Sequence, residues 1–126
     1  MKVGVSLWEV PAGQAAYPYH WHAAEEELLV ILEGTPSLRT PTGWQDLAEG
    51  DVVSFPVGEE GAHQIANRGE NPVRFLAVSN QQPDIVVRPD SGTIGVAERH
   101  PDGGGIHAHF RMGDQVEYLE GEEAPK

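Results

Sequence analysis

An all-β fold is predicted by three features of the sequence: the density of its chain breakers, the shortness of the segments between them, and the alternation inside those segments. There are 15 glycines and 10 prolines in 126 residues, and they punctuate almost the whole chain. Only residues 19–33 escape them for long enough to make a substantial helix. Segments with strand character lie at Val3–Val10, 28–32, 36–39, Val52–Phe55, 64–67, 73–79, 85–87 and 93–96. Short strands at a spacing of about 8 to 12 residues indicate a sandwich or a barrel.

The first strand is the plainest, VGVSLWEV, rich in β-branched and aromatic residues. The next segment, AAEEELLVILEG, carries good helix formers. Its apolar part, Leu28-Leu29-Val30-Ile31-Leu32, has no polar face, however, and Gly34 ends it after a strand-sized length. A strand is therefore expected there. If Glu27 faces inward, Leu29 and Ile31 follow it, and Leu28, Val30 and Leu32 form a second apolar face that needs a cover. A second sheet or a partner subunit could supply it, and a homodimer is expected.

After Pro89 the chain turns polar and glycine-rich, with Asp102-Gly103-Gly104-Gly105 as a turn or loop. One domain over residues 1–126 is expected, with a barrel core at about 3–96 and a polar extension at 97–126 that ends in a loose acidic tail.

Composition excludes several functions. With 20 acidic and 8 basic side chains the formal charge is -12, which phosphate backbones and anionic lipids repel. Nucleic acid and membranes are not expected partners. The absence of cysteine removes disulfides, iron-sulfur clusters, thiolate zinc sites and a cysteine nucleophile. The longest apolar run is too short to span a bilayer, and no signal-peptide core follows Met1-Lys2, so a cytoplasmic protein is expected. Nothing matches a Ser-His-Asp triad, a phosphate loop or a dinucleotide fingerprint.

The chemistry concentrates in His20-Trp21-His22 and Glu27. Residues two apart on a strand share a face, so both imidazoles can converge on one ion; in a helix they would lie about 200° apart. A helix would instead pair His22 with Glu26. Glu27 is an odd number of positions from His22, so a turn or bulge must fall between residues 23 and 26 for it to join them. Farther on, His63 is a candidate third imidazole, followed by Asn67 four residues later.

These residues stand in two frames. Gly13, His20, His22, Glu27 and Gly34 resemble the first cupin motif, and Gly50, Pro56, Gly58, His63 and Asn67 resemble the second. Two spacings depart from the pattern: six residues rather than five separate Gly13 from His20, and four rather than two separate Gly58 from His63. Both are loop insertions. The resemblance runs from about Val3 to Ser79 and implies a double-stranded β-helix, the jelly-roll barrel of cupins, with a metal near one mouth. Carried over by position, His20, His22, Glu27 and His63 would be its ligands. No DNA-binding helical domain is expected ahead of the barrel.

Three imidazoles and one carboxylate suit a borderline divalent ion: Fe, Mn, Ni, Cu or, less favoured if six-coordinate, Zn. Open positions on such an ion would permit Lewis-acid chemistry on an enediol or carbonyl, or dioxygen chemistry beside a bidentate substrate. The sequence thus points to a metal-dependent dioxygenase or isomerase acting on a small molecule, with a non-catalytic sugar or metabolite-binding module as the alternative. Phe55, Phe75 and Asn67 are candidates for the substrate pocket, with core filling by the two phenylalanines and strand-end hydrogen bonding by Asn67 as the favoured alternatives. Tyr19 and Trp21 are expected to point away from the ion, and Glu25 and Glu26 to shape the turn and stay solvated. His107-Ala108-His109 repeats the H-x-H spacing, with His100 nearby, but no glutamate follows at a matching offset. These are read as surface or lid histidines.

Overall fold

Among residues 2–124, which the computed structural model describes, the chain forms β1 (Val3–Val10), β2 (Trp21–His22), β3 (Glu27–Glu33), β4 (Ser37–Thr40), β5 (Gly43–Asp46), β6 (Val52–Phe55), β7 (Gln64–Ala66), β8 (Val73–Asn80), β9 (Asp84–Arg88), β10 (Thr93–Ala97) and β11 (His107–Arg111). Two single 3-10 turns complete it, and no α-helix occurs among these residues. The helix formers of residues 23–28 lose to burial. Leu29 and Ile31 are almost wholly buried, Leu28 and Val30 are half-buried, and Leu32 is exposed. That is the period-two pattern of a strand.

The strands form antiparallel sheets in the orders β1-β8-β3-β6, β11-β10-β9-β2 and β5-β4-β7. An isolated bridge between His20 and His63 joins the edge of the second sheet to the start of β7 in the third. The barrel has a filled half and a hollow half. Val10, Leu29, Ile31, Phe55, Val73 and Phe75 of the first sheet meet Leu38 and Ile65 of the third in one apolar core. Between the first and second sheets lies a cavity of about 650 Å³, walled by Gly4, Ser6, Trp8 and Ala77 on one side and by His22, Val86 and Arg88 on the other. Burying large apolar side chains at one end stabilises a frame that can leave the other end open.

Two strands were not foreseen. β5 is short and wholly exposed, with no apolar face to betray it. β11 lies within the stretch expected to be a polar extension, yet all five of its residues pair with β10. Backbone pairing, rather than burial, holds it.

Candidate metal centre

The bend expected between His22 and Glu27 falls at Ala23 and Ala24 and turns Glu27 back toward the histidines. One ring nitrogen from His20, one from His22 and one carboxylate oxygen of Glu27 lie within 4.8 Å of one another. His63 Nε2 stands 3.6 Å from Glu27 Oε1, and His20 Nε2 stands 3.5 Å from it. His22 Nε2 makes the closest approach to the same oxygen. Two separate segments, each crossing between sheets, therefore deliver donors to one place, His20, His22 and Glu27 as the tight group and His63 at its edge.

The outward nitrogens decide what the inward ones can do. His20 Nδ1 donates to the Pro18 carbonyl and His63 Nδ1 to the Gly61 carbonyl, each at 2.8 Å. His22 Nδ1 donates to Asp84 Oδ2 at 2.6 Å. A carbonyl or carboxylate can only accept, so in the neutral rings the proton is on Nδ1 and every Nε2 presents a lone pair. The His20 and His22 Nε2 atoms are then 3.1 Å apart with no proton between them. His63 Nε2 is buried without a hydrogen-bond partner, and the Glu27 Oε1 it faces is buried against the His22 ring nitrogen. Lone pairs facing one another in a buried place are costly unless a proton or a cation stands between them. The donor set fits a divalent transition metal, with outward acceptors that orient the ligands as metal sites require.

The titration behaviour describes the same cluster with a proton, rather than a cation, between its groups. Burial would lower the His22 pKa, but hydrogen bonding to Glu27 and Asp84 and their charges outweigh it and raise it. His63, more deeply buried, is pushed down to about 4 by desolvation, against the pull of Glu27. Burial would raise Glu27, yet its contacts with His20 and His22 and the charge of His22 and His63 hold it far below the usual carboxylate range. It is a carboxylate ready to bind a cation.

Several supporting residues escaped sequence reasoning. Asp84 is buried and also accepts from the amides of Ala24 and Ile85, so its carboxylate is fixed where it orients His22. Gly61 lends its carbonyl to His63, and a Cβ there would stand 1.8 Å from the Pro56 carbonyl oxygen, which only glycine tolerates. Tyr17 packs edge-on against His20 and His63 and leaves its buried hydroxyl without a partner. Desolvation, then the charge of Glu27, raises the Tyr17 pKa, so the hydroxyl keeps its proton.

The structure also corrects expectations. Phe55, Phe75 and Asn67 do not line the cavity. Phe55 stacks on His63 with ring centroids 3.6 Å apart and so braces the imidazole from within the core. Phe75 is wholly buried and stacks on Trp8. Asn67 donates to the carbonyls of Val10 and Asn71 and accepts from the Gly69 amide, which closes the end of β7. Glu25 is not solvated; only 2% exposed, it accepts from the Gln82 amide and from the Arg99 guanidinium. Glu26 is exposed as expected. Tyr19 is buried beneath the Arg39 guanidinium, pointing away from the centre. Of the second H-x-H pair, both rings are exposed, and only His107 reaches the cavity wall.

Comparison with known proteins places this geometry. The family model described as Cupin domain matches residues 6–79. A germin-like protein of subfamily 1 from Arabidopsis thaliana is 35% identical over 101 residues, which are 71% of this chain and 42% of that protein. The chain thus spans less than half the length of the curated relatives it matches. A crystal structure from Acidithiobacillus ferrooxidans, named provisionally as a sugar phosphate isomerase, superposes with TM-score 0.79 at 26% identity, covering 92% of this chain and 71% of that one. A cupin-superfamily structure from Silicibacter pomeroyi, named as a sugar phosphate isomerase, gives TM-score 0.81 at 23% identity over 95% of this chain and 74% of that one; it shows the fold alone.

Proposed function

The chain belongs to the cupin domain family, and on that footing we propose that it is a metal-dependent enzyme that isomerises a small organic molecule held in its cavity. The observation that carries the reading is the set of Nε2 lone pairs, turned inward by Pro18, Gly61 and Asp84, around the low-pKa carboxylate of Glu27. His20, His22 and Glu27, with His63, would hold Fe, Mn, Ni, Cu or Zn, and the ion when bound supplies a Lewis acid for a carbonyl or hydroxyl oxygen. The neighbour at 26% identity favours isomerisation over dioxygen chemistry, since its name describes an isomerase.

The remaining residues prepare the reactant. Trp8, Tyr17 and Val86 give part of the cavity wall an apolar surface against which the carbon skeleton of a reactant can pack. The Tyr17 hydroxyl, protonated and without another partner, is a donor for an oxygen carried by the substrate. Asp84 keeps the His22 proton on Nδ1 throughout.

Outside the barrel, Val5, Leu7, Leu28, Val30, Leu76 and Val78 lie on one face of the first sheet, opposite one another across β1, β8 and β3. Val5 and Leu7 are more than half exposed. This is the uncovered face expected of the strand at residues 28–32, and it supports a homodimer as part of the same reading. No helix among the described residues is long and apolar enough to cross a membrane.

The test is protein purified without chelator, assayed for metal by elemental analysis and for turnover on a panel of diols, keto acids and sugars. Bound metal with turnover lost in EDTA is expected. Saturable binding without turnover would replace the enzyme with a binding module, and metal-free protein throughout would overturn both. A monomer in light scattering at high concentration would remove the dimer.

A further inference from the structure

We propose that one wall of the cavity is an anion subsite, where Arg88 and Arg99 grip the phosphate or carboxylate end of a substrate whose other end lies beside His20 and His22. This rests on the reading above and adds the substrate class to it. The chain carries a formal charge of -12, yet two of its 8 basic residues line this one cavity. The acidic groups on the same walls are already engaged: Glu27 belongs to the metal centre, and Glu25 is paired with Arg99.

Strand geometry sets the spacing. On β9, Asp84, Val86 and Arg88 alternate onto one face. Asp84 holds His22, Val86 is the register partner of His22, and Arg88 lies one repeat farther along, about 7 Å at the usual rise per residue. Arg99 reaches the same region by another route. Its Nη2 donates to Glu25 Oε1 at 2.9 Å, and a Glu25 oxygen lies within 4.8 Å of a His22 ring nitrogen. One carboxylate separates the guanidinium from the imidazole.

Both guanidiniums are held before any ligand arrives. Arg88 Nε donates to Thr93 Oγ1 at 2.9 Å, and its Nη2 donates to His109 Nδ1 at 2.8 Å. Thr93 stands directly opposite Arg88 on β10, whereas His109 is one strand farther away on β11. Gly95, between Val86 and His109 in the register, lets them meet. A Cβ at Gly95 would lie 3.0 Å from His109 Nδ1 and 3.4 Å from Arg88 Nη1. The Gly95 backbone has no positive φ, so space rather than conformation calls for glycine. Arg99 is the one non-glycine residue with positive φ, 57°, among the described residues. Local backbone strain is accepted where the guanidinium meets buried Glu25. The second H-x-H segment thereby gains a role: His109 positions Arg88, and His107 lines the same cavity.

Fixed guanidinium forks suit an oxyanion rather than a neutral hydroxyl. The test titrates glucose 6-phosphate, glucuronate and glucose into the whole protein by calorimetry, with metal content measured in each sample. At least one anion should bind about tenfold or more tightly than glucose, and the choice between them separates a phosphate from a carboxylate. That preference should vanish in Arg88→Gln and shrink in Gly95→Ala, with metal content unchanged. Arg99→Gln is a supporting variant, because it also leaves Glu25 unpaired. If neither anion exceeds glucose, or the preference survives both Arg88→Gln and Gly95→Ala, the subsite is refuted. Failure of the metal reading looks different: no metal would be found, and EDTA would change none of the three affinities.

Discussion

The chain contains the same tripeptide pattern twice, and the two copies behave differently. In His20-Trp21-His22 the ring centroids are 4.9 Å apart, each Nδ1 has an acceptor, and Glu27 faces the pair. In His107-Ala108-His109 the centroids are 5.9 Å apart, both rings are exposed, and the Nδ1 of His109 accepts from Arg88. Spacing gives both pairs a common face. What separates them is the set of outward partners: acceptors turn the first pair into two lone-pair donors aimed inward, whereas a guanidinium occupies the second. A ligand pair is therefore made by its surroundings, and the contrast can be broken at several points.

The largest effect is expected at the ligands themselves. His22→Ala or Glu27→Ala should reduce metal content to near background, a greater loss than the roughly 10–100-fold that removal of an outer partner costs. Elemental analysis of protein purified without chelator reads it directly. Full metal occupancy in both variants would erase the distinction between the two segments.

Next comes Asp84→Asn, which keeps every ligand and changes only what His22 Nδ1 meets. An asparagine can turn its amide nitrogen toward the ring and favour the wrong tautomer. Metal affinity should fall about 10–100-fold, measured by competition with a chromophoric chelator. An unchanged affinity would mean that the outward partners are incidental. Gly61→Ala should be a smaller, structural lesion. Its Cβ would stand 1.8 Å from the Pro56 carbonyl oxygen, so the loop that holds His63 must shift. Overpacking of this kind costs on the order of 1–3 kcal/mol, visible as a lower Tm. Wild-type stability would show that the loop has room the structure denies it.

The same contrast explains what could be read from the sequence. Strand parity put His20 and His22 on one face, because side-chain spacing along one segment is a local property; Glu27, which parity alone sends to the other face, and His63 came from the resemblance to the two cupin motifs. Their partners were not legible. Pro18 and Gly61 act through backbone carbonyls, which every residue has, and Asp84 lies 62 positions from His22. Glu25 was read as solvated because nothing in a run of three glutamates tells which will be buried; Arg99, 74 residues away, settles it. The apolar alternation of β3 exposed its two faces in the sequence, whereas β11, polar and held by backbone pairing, left no such mark. Phe55 and Phe75 were recognisable as core-sized aromatics, but that Phe55 would stack on His63 depends on a loop between strands that spacing along one segment does not describe.

The smallest effect is expected from the double variant His107→Ala/His109→Ala. Both side chains are exposed, and the hydrogen bond they forfeit, His109 to Arg88, is itself in contact with solvent. Exposed substitutions of this sort change stability by about 0.5 kcal/mol or less. β11 remains paired to β10 through its backbone, which the substitutions leave intact. Metal content should match the unsubstituted protein, because neither ring has an acceptor behind it or a carboxylate before it to make it a ligand. Thermal unfolding with elemental analysis on the same sample checks both points. A loss of metal here would mean that the second segment reaches the ion after all, and that equal spacing, not surroundings, governs both pairs.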